Sequence, residues 1–255
     1  MKKSNKNPDE IDLILVATST PDVPVVSTAA LVQDKIGAKN AWGYDIVAAC
    51  TGFVYAMETG AKLVESGKYK NVIVIGADTM SSIIDYTDRN TCVIFGDGAG
   101  GVLLEPSDDD CGVLDSILLA DGSGHKYLTV PAGGSLRPAS KETIDKKMHY
   151  VYQDGKTVFK FAVKNMADVS KEILDNNNIQ GKDLKLFIPH QANKRIIDAA
   201  AKRCGLSEEQ VLVNINKYGN TTAGTIPIAL DDAVEAKMLE KNDLVLFAAF
   251  GGGFT

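Results

Sequence analysis

Short apolar runs alternate with helix-period stretches along most of this chain. Residues 11–17 read as a strand, and 27–36 as a helix with Ser27 at its N-cap. Residues 44–47 form a short apolar segment that predicts a buried strand, and the run from Phe53 through Ala56, Met57, Ala61 and Val64 continues as a helix. Residues 71–77 are nearly continuously apolar, as in a sheet covered on both faces. Strands are predicted at 92–95 and 101–105, joined by a glycine turn at 96–100. A strand at 113–120 opens a second series, which a polar, irregular stretch at 121–147 interrupts. Residues 157–176 place Val158, Phe161, Ala162, Met166, Val169 and Ile173 on one face of a long helix. Strand, helix, strand, helix and strand then run to the end. The pattern predicts an α/β chain in two successive halves, 1–109 and 110–255, broken near Ser107-Asp108-Asp109-Asp110.

Composition narrows the class. The 255 residues are 45% hydrophobic and 24% charged, ordinary values for a globular protein. No stretch is long and apolar enough to span a membrane, and no apolar core of signal-peptide type follows the basic N-terminus. The four cysteines (50, 92, 111 and 204) are scattered without a CxxC pair, which suits reduced thiols in a cytoplasm better than zinc or disulfides. A net charge of −6 argues against a general nucleic-acid binder.

The candidate chemistry begins at Ala48-Ala49-Cys50-Thr51-Gly52, between the 44–47 strand and the following helix. A cysteine at such a corner meets unpaired backbone N–H groups and the helix dipole, which favour a thiolate and make the sulfur nucleophilic. A buried structural cysteine fits this segment equally well. Two further segments put a polar side chain where a strand gives way to a helix: His190 in Ile188-Pro189-His190-Gln191-Ala192-Asn193, and Asn220 in Tyr218-Gly219-Asn220-Thr221-Thr222. Alone, His190 reads as a helix-start residue and Asn220 as a loop amide beside Gly219. The glycine run 251–253 adds a fourth loop, and loops at strand ends of a layered α/β protein can converge on one pocket. Gly96, Gly98 and Gly101 match GxGxxG, but strand-like Val102-Leu103-Leu104 follows, so a tight turn is preferred to a nucleotide site.

In combination these segments resemble the β-ketoacyl-acyl-carrier-protein synthases of type III, condensing enzymes of the thiolase superfamily. The resemblance runs through residues 44–53, 87–100, 187–195, 218–223 and 249–255 in the family's order. It implies a layered αβαβα thiolase-like fold whose halves are structural repeats. It implies that Cys50 takes an acyl group from acetyl-CoA or another short acyl-CoA. Malonyl-acyl-carrier protein then loses CO₂, and its enolate attacks the acyl-cysteine. His190 and Asn220 would donate hydrogen bonds to the malonyl thioester oxygen, and the backbone N–H groups of Cys50 and Gly252 would form the oxyanion hole for acyl transfer. Acyl-CoA is a substrate, and neither a cofactor nor a metal is implied.

The resemblance extends to partners. Arg89 and Asn193 match CoA-contacting positions, although Arg89 could equally pair with Asp85 or Asp88. Lys160, Arg195, Lys202 and Arg203 match positions used for acidic carrier protein, Arg195 and Lys202 lying seven apart on one helix face. Val25 falls where the family lines the acyl pocket of the neighbouring subunit in a homodimer, and its small side chain hints at room beyond acetyl. Family segments are implied on either side of the sequence: a strand and helix before residue 11, carrying a Trp and an Arg that grip the CoA adenine, and a strand after Thr255. Met1-Lys2-Lys3 reads as the end of a helix. A chain confined to these residues is expected to expose interior strands, to be aggregated or marginally folded, and to condense little. Rival readings are a condensing enzyme of secondary metabolism, a Cys-His-Asn hydrolase, and a non-enzymatic remnant.

Overall fold

The computed structural model describes residues 4–109 and 111–255, so the readings placed on Met1-Lys2-Lys3 and on Asp110 at the break between halves lie outside the described residues. The first sheet holds β1 (Leu13–Ala17), β2 (Trp42–Ile46), β3 (Val72–Asp78) and β4 (Gly98–Leu104) in the order β2-β1-β3-β4. β1 runs parallel to β2 and β3, and β4 is antiparallel to β3. Further along, β5 (Leu128–Thr129) pairs with β6 (Tyr152–Gln153), and β7 (Leu186–Pro189) runs parallel to β8 (Val245–Ala248). The helices are α1 (Thr28–Ile36), α2 (Gly52–Glu65), α3 (Lys141–Asp145), α4 (Gly155–Asn176), α5 (Lys194–Cys204), α6 (Ile215–Tyr218) and α7 (Thr225–Glu235).

Side-chain alternation arranges these elements in layers. Leu13, Leu15 and Ala17 on one face of β1 join Phe53 and Ala56 of α2, Leu186 and Ile188 of β7, and Ile226 and Ala229 of α7 in one buried cluster. Ile14 and Val16 on the other face of β1 pack with Ala29 of α1. Phe187 and Leu246, on the far face of the β7–β8 pair, pack with Val158 and Met166 of α4 and Ala200 of α5. The order is therefore α1, first sheet, α2 with α7, second sheet, α4 with α5. Ser27 caps α1 as the sequence predicts, its side chain accepting a hydrogen bond from Ala30 N at 3.2 Å.

Several expectations change. β2 is an edge strand that is only partly buried, with Trp42 and the following Val47 exposed, because among the described residues no strand pairs with its outer side. β3 alternates buried and half-buried positions instead of being covered equally on both faces. Residues 92–95 form turns, apart from a bridge between Phe95 and Asn220. Gly98 and Gly100 lie inside β4, not in a turn before it, so the strand begins earlier than the predicted residue 101. A Cβ at Gly100 would come within 2.9 Å of Ile228 N, so the missing side chain lets α7 rest directly on the strand. Residues 113–120 adopt no regular strand. The Tyr55 hydroxyl holds this segment by donating to Leu119 O at 2.6 Å, and an apolar cavity of about 830 Å³ separates it from residues 242–250 around β8. Among the described residues no helix is long and apolar enough to cross a membrane.

The middle layer gives a direct stability test. Phe53 is fully buried between both sheets and meets Phe247 edge-on at 6.5 Å. Phe53→Ala is expected to lower the unfolding free energy by about 3–5 kcal/mol in urea titrations. A loss below about 1 kcal/mol would show that the two sheets do not share this core.

Candidate active site

Cys50 lies in the 3-10 turn Ala49–Thr51 that leads into α2 and is 5% exposed. Ala49 before it has φ +47°, a left-handed conformation that a non-glycine residue adopts only where its surroundings enforce it. The Thr51 hydroxyl donates to Ala48 O at 2.6 Å and lies 2.7 Å from the Thr255 hydroxyl, fastening the turn to the glycine loop. A Cβ on Gly251 would sit 3.1 Å from Cys50 N, so only glycine lets that loop approach the cysteine backbone so closely.

His190 follows β7 directly, and its backbone N–H donates to Ala248 O at 2.7 Å, fixing it at the shared ends of β7 and β8. Gln191 anchors the same corner with four bonds. Its amide donates to Pro189 O and Leu212 O, and its carbonyl oxygen accepts from Asn214 N and Ile215 N. Asn220 is held in its bridge by donation to Ile94 O and by accepting from Gly96 N, both at 2.9 Å.

One hydrogen-bonded path joins Asn220 to His190 and runs beside Cys50. The Asn220 Oδ1 accepts from Thr222 N at 2.9 Å, which turns the amide nitrogen towards the Cys50 sulfur. The Thr225 hydroxyl lies 3.1 Å from Thr222 O and 2.7 Å from His190 Nδ1. All of these side chains are nearly fully buried. Asp78 anchors the path at the end of β3. Its Oδ1 accepts from the Thr18 and Thr20 hydroxyls and from Ser19 N, and its Oδ2 from the Thr222 hydroxyl and Ala223 N.

Electrostatics overturn one expectation. Burial first, and the Asp78 carboxylate second, push the Cys50 thiol up to about 12. Hydrogen bonding from Asn220 and from the cysteine's own backbone N–H lowers it, but less. The resting sulfur is therefore a protonated thiol, because desolvation outweighs the helix-start dipole that the sequence suggests. Burial also depresses His190 to about 3, so its imidazole is neutral at physiological pH.

The other predicted residues are dispersed. Gly252 lies in the glycine loop, one residue beyond the contact with Cys50. Arg89 is exposed, and its suggested partners are taken: Asp85 binds Lys147 at 2.8 Å, and Asp88 accepts from Asn90 and Thr91. Asn193 is exposed and caps α5 by accepting from Arg195 N at 2.9 Å. On the outer layer, Lys160 and Lys202 are exposed, Arg195 lies 4.6 Å over the Phe159 ring, and Arg203 pairs with Asp168 at 2.8 Å. Val25 is fully exposed at a loop tip with φ +81°. The large apolar cavity includes none of Cys50, His190 and Asn220 in its lining. Sequence reasoning missed Asp78, Thr222, Thr225 and Gln191. The signal for Asp78 was present, since a lone carboxylate ends the apolar run Val72-Ile73-Val74-Ile75-Gly76-Ala77.

The chain is similar to known proteins in sequence and in fold. Residues 44–122 match the family described as 3-oxoacyl-[acyl-carrier-protein (ACP)] synthase III, and residues 174–255 match its C-terminal part. A β-ketoacyl-[acyl-carrier-protein] synthase III of Koribacter versatilis is 57% identical over 248 residues, 96% of this chain and 74% of the relative. The protein of the same name from Chlorobaculum tepidum is 54% identical over 257 residues, 100% of this chain and 78% of that relative. The crystal structure of 3-oxoacyl-[acyl-carrier-protein] synthase III from Aquifex aeolicus VF5 superposes with a TM-score of 0.90 at 42% identity, covering 99% of this chain and 77% of the other.

Two tests follow from the buried groups. An unfolded histidine titrates near 6.5, whereas His190 in the fold does so at about 3. Between these values the unfolded chain binds more protons, so stability is complete above about pH 6.5 and declines as pH falls towards 3. Urea midpoints measured across that range are expected to show the decline, and His190→Gln to reduce it. An identical slope in both proteins would exclude His190 as the source. Asp78→Asn sets an amide N–H₂ against donors on one side of the carboxylate site. It is expected to cost about 2–3 kcal/mol in the same titrations and to move Cys50 titration to lower pH, read by the pH dependence of thiol alkylation. Unchanged stability would show that the five bonds to Asp78 do not hold the site.

Proposed function

Because the chain belongs to the 3-oxoacyl-[acyl-carrier-protein] synthase III family, we propose that it joins a short acyl-CoA, typically acetyl-CoA, to malonyl-acyl-carrier protein through an acyl-cysteine and so starts fatty-acid synthesis. The observation that carries the residue assignment is the buried hydrogen-bonded path Asn220–Thr222–Thr225–His190, with the Asn220 amide acting on the buried Cys50 thiol. The thiolase-like layering of the family agrees with the five layers of this chain.

Cys50 attacks the thioester carbonyl carbon. The new carbon–sulfur bond forms, the bond to CoA breaks, and the thiol proton ends on the departing CoA sulfur. A thiol pushed up to about 12 holds little standing charge. The charge that develops instead settles on the carbonyl oxygen, where the backbone N–H groups of Cys50 and Gly252 receive it. Malonyl-carrier protein then loses CO₂. Charge now grows on its thioester oxygen, and the Asn220 amide and His190 donate to it. A neutral imidazole suits this work, since it can donate without surrendering a full proton. The enolate carbon bonds to the acyl carbon, the carbon–sulfur bond to Cys50 breaks, and the released sulfur takes up one proton from water to return to the thiol.

Arg89 and Asn193 serve CoA. Lys160, Arg195, Lys202 and Arg203, all exposed on the outer helices α4 and α5, offer cations to an acidic carrier protein. Exposed Val25, Val47, Tyr86 and Val93 in the first half support burial against a second copy in a cytoplasmic homodimer.

Intact mass after mixing with acetyl-CoA is expected to rise by one acetyl group on Cys50 alone, and Cys50→Ala to abolish the shift. Acylation persisting in Cys50→Ala would overturn the assignment. His190→Ala and Asn220→Ala are each expected to slow malonyl decarboxylation about 10²–10³-fold while sparing most acylation, because the acyl-transfer hole is made of backbone N–H groups. Equal loss of both half-reactions would count against the division of roles.

A further inference from the structure

The Thr225 hydroxyl has one proton and two acceptors within reach, His190 Nδ1 at 2.7 Å and Thr222 O at 3.1 Å. If the proton goes to Thr222 O, Nδ1 must carry the ring proton, and Nε2 presents a lone pair. If it goes to Nδ1, the ring proton sits on Nε2, which becomes a donor. Four observations decide between them. Hydroxyl donors make bonds near 2.7–2.8 Å and N–H donors near 2.9–3.0 Å, so the 2.7 Å contact fits O–H donation to Nδ1. The 3.1 Å contact is long for a hydroxyl donor. Thr222 O already accepts the Thr225 backbone N–H, so it loses nothing essential if the hydroxyl turns away. His190 and Thr225 are 1% and 2% exposed, so bulk water does not compete for Nδ1.

We propose that Thr225 donates its hydroxyl proton to His190 Nδ1 and thereby fixes the Nε2–H tautomer, making Thr225 the positioning residue for the decarboxylation step. The proposal rests on the condensing function inferred above but concerns one half-reaction only. A threonine at the first position of α7 thus decides whether His190 gives or accepts a hydrogen bond at the substrate. The Asn220 amide is oriented in the same way by Thr222 N, so both donors to the thioester oxygen are aimed by the residues 222–225.

The test uses the whole chain, ¹⁵N-labelled in its histidine rings, together with Thr225→Val and Thr225→Ser. Wild-type ring nitrogen shifts at neutral pH are expected to show a protonated Nε2 and an unprotonated Nδ1 for His190. Thr225→Val is expected to mix the tautomers and to slow malonyl decarboxylation about tenfold, the loss of one buried hydrogen bond, with Cys50 acylation by acetyl-CoA within about twofold of wild type. Thr225→Ser, which keeps the hydroxyl, is expected to restore both the shifts and the rate. A protonated Nδ1 in the wild type would overturn the proposal, as would a Thr225→Val protein with unchanged shifts and decarboxylation. If Thr225→Val does not fold, the wild-type spectrum and Thr225→Ser decide the matter. Failure of the wild type to take up acetyl would strike the functional reading and leave the tautomer result standing.

Discussion

The carboxylate of Asp78 is the constraint on which the site depends. It ends β3, and its five donors come from the segment after β1 and from Thr222 and Ala223 before α7. The most distant of these donors, Ala223, lies 145 residues from Asp78 in sequence. A buried carboxylate that lost these donors would be left in an apolar surrounding at a cost far larger than any single contact gains. The first sheet therefore grips the loop that carries Asn220, and the meeting of the two halves is fixed by a few bonds to one side chain.

Thr222 transmits that grip. Its hydroxyl is bound to Asp78, its N–H to Asn220, and its carbonyl receives Thr225. Its φ of +49° is unfavourable for a threonine, and glycine would relax there. Glycine, however, would lack the hydroxyl. The strain is held because three separate bonds each require that conformation, and the result is an Asn220 amide with a defined direction.

Much of this was legible in the sequence, and what escaped it shares one cause. The Cys50 corner and the Ser27 cap follow from local pattern and lie where that pattern puts them, and the helix predicted over 157–176 is found at Gly155–Asn176. His190 and Asn220 both read as strand-end residues; His190 does follow β7, whereas Asn220 follows the short helix α6 and meets Phe95 in a single bridge. Residues 113–120 look like a strand by composition, but a strand needs a partner, and their side chains face a cavity instead. Gly98 and Gly100 resemble part of a turn, yet they serve contact with a helix more than a hundred residues later. Asp78, Thr222 and Thr225 are ordinary polar residues whose roles exist only once both sheets are assembled. The thiolate expectation failed for the same reason, since a helix start is visible locally whereas burial is not.

The state of Cys50 has a chemical consequence of its own. With its thiol pushed up to about 12, only about one molecule in 10⁵ carries a thiolate at neutral pH. Oxidants attack thiolates, so this sulfur is shielded from sulfenic acid and mixed disulfides. Cys111 is exposed at the surface. Under oxidative stress damage would therefore collect at Cys111 before it reached the buried Cys50.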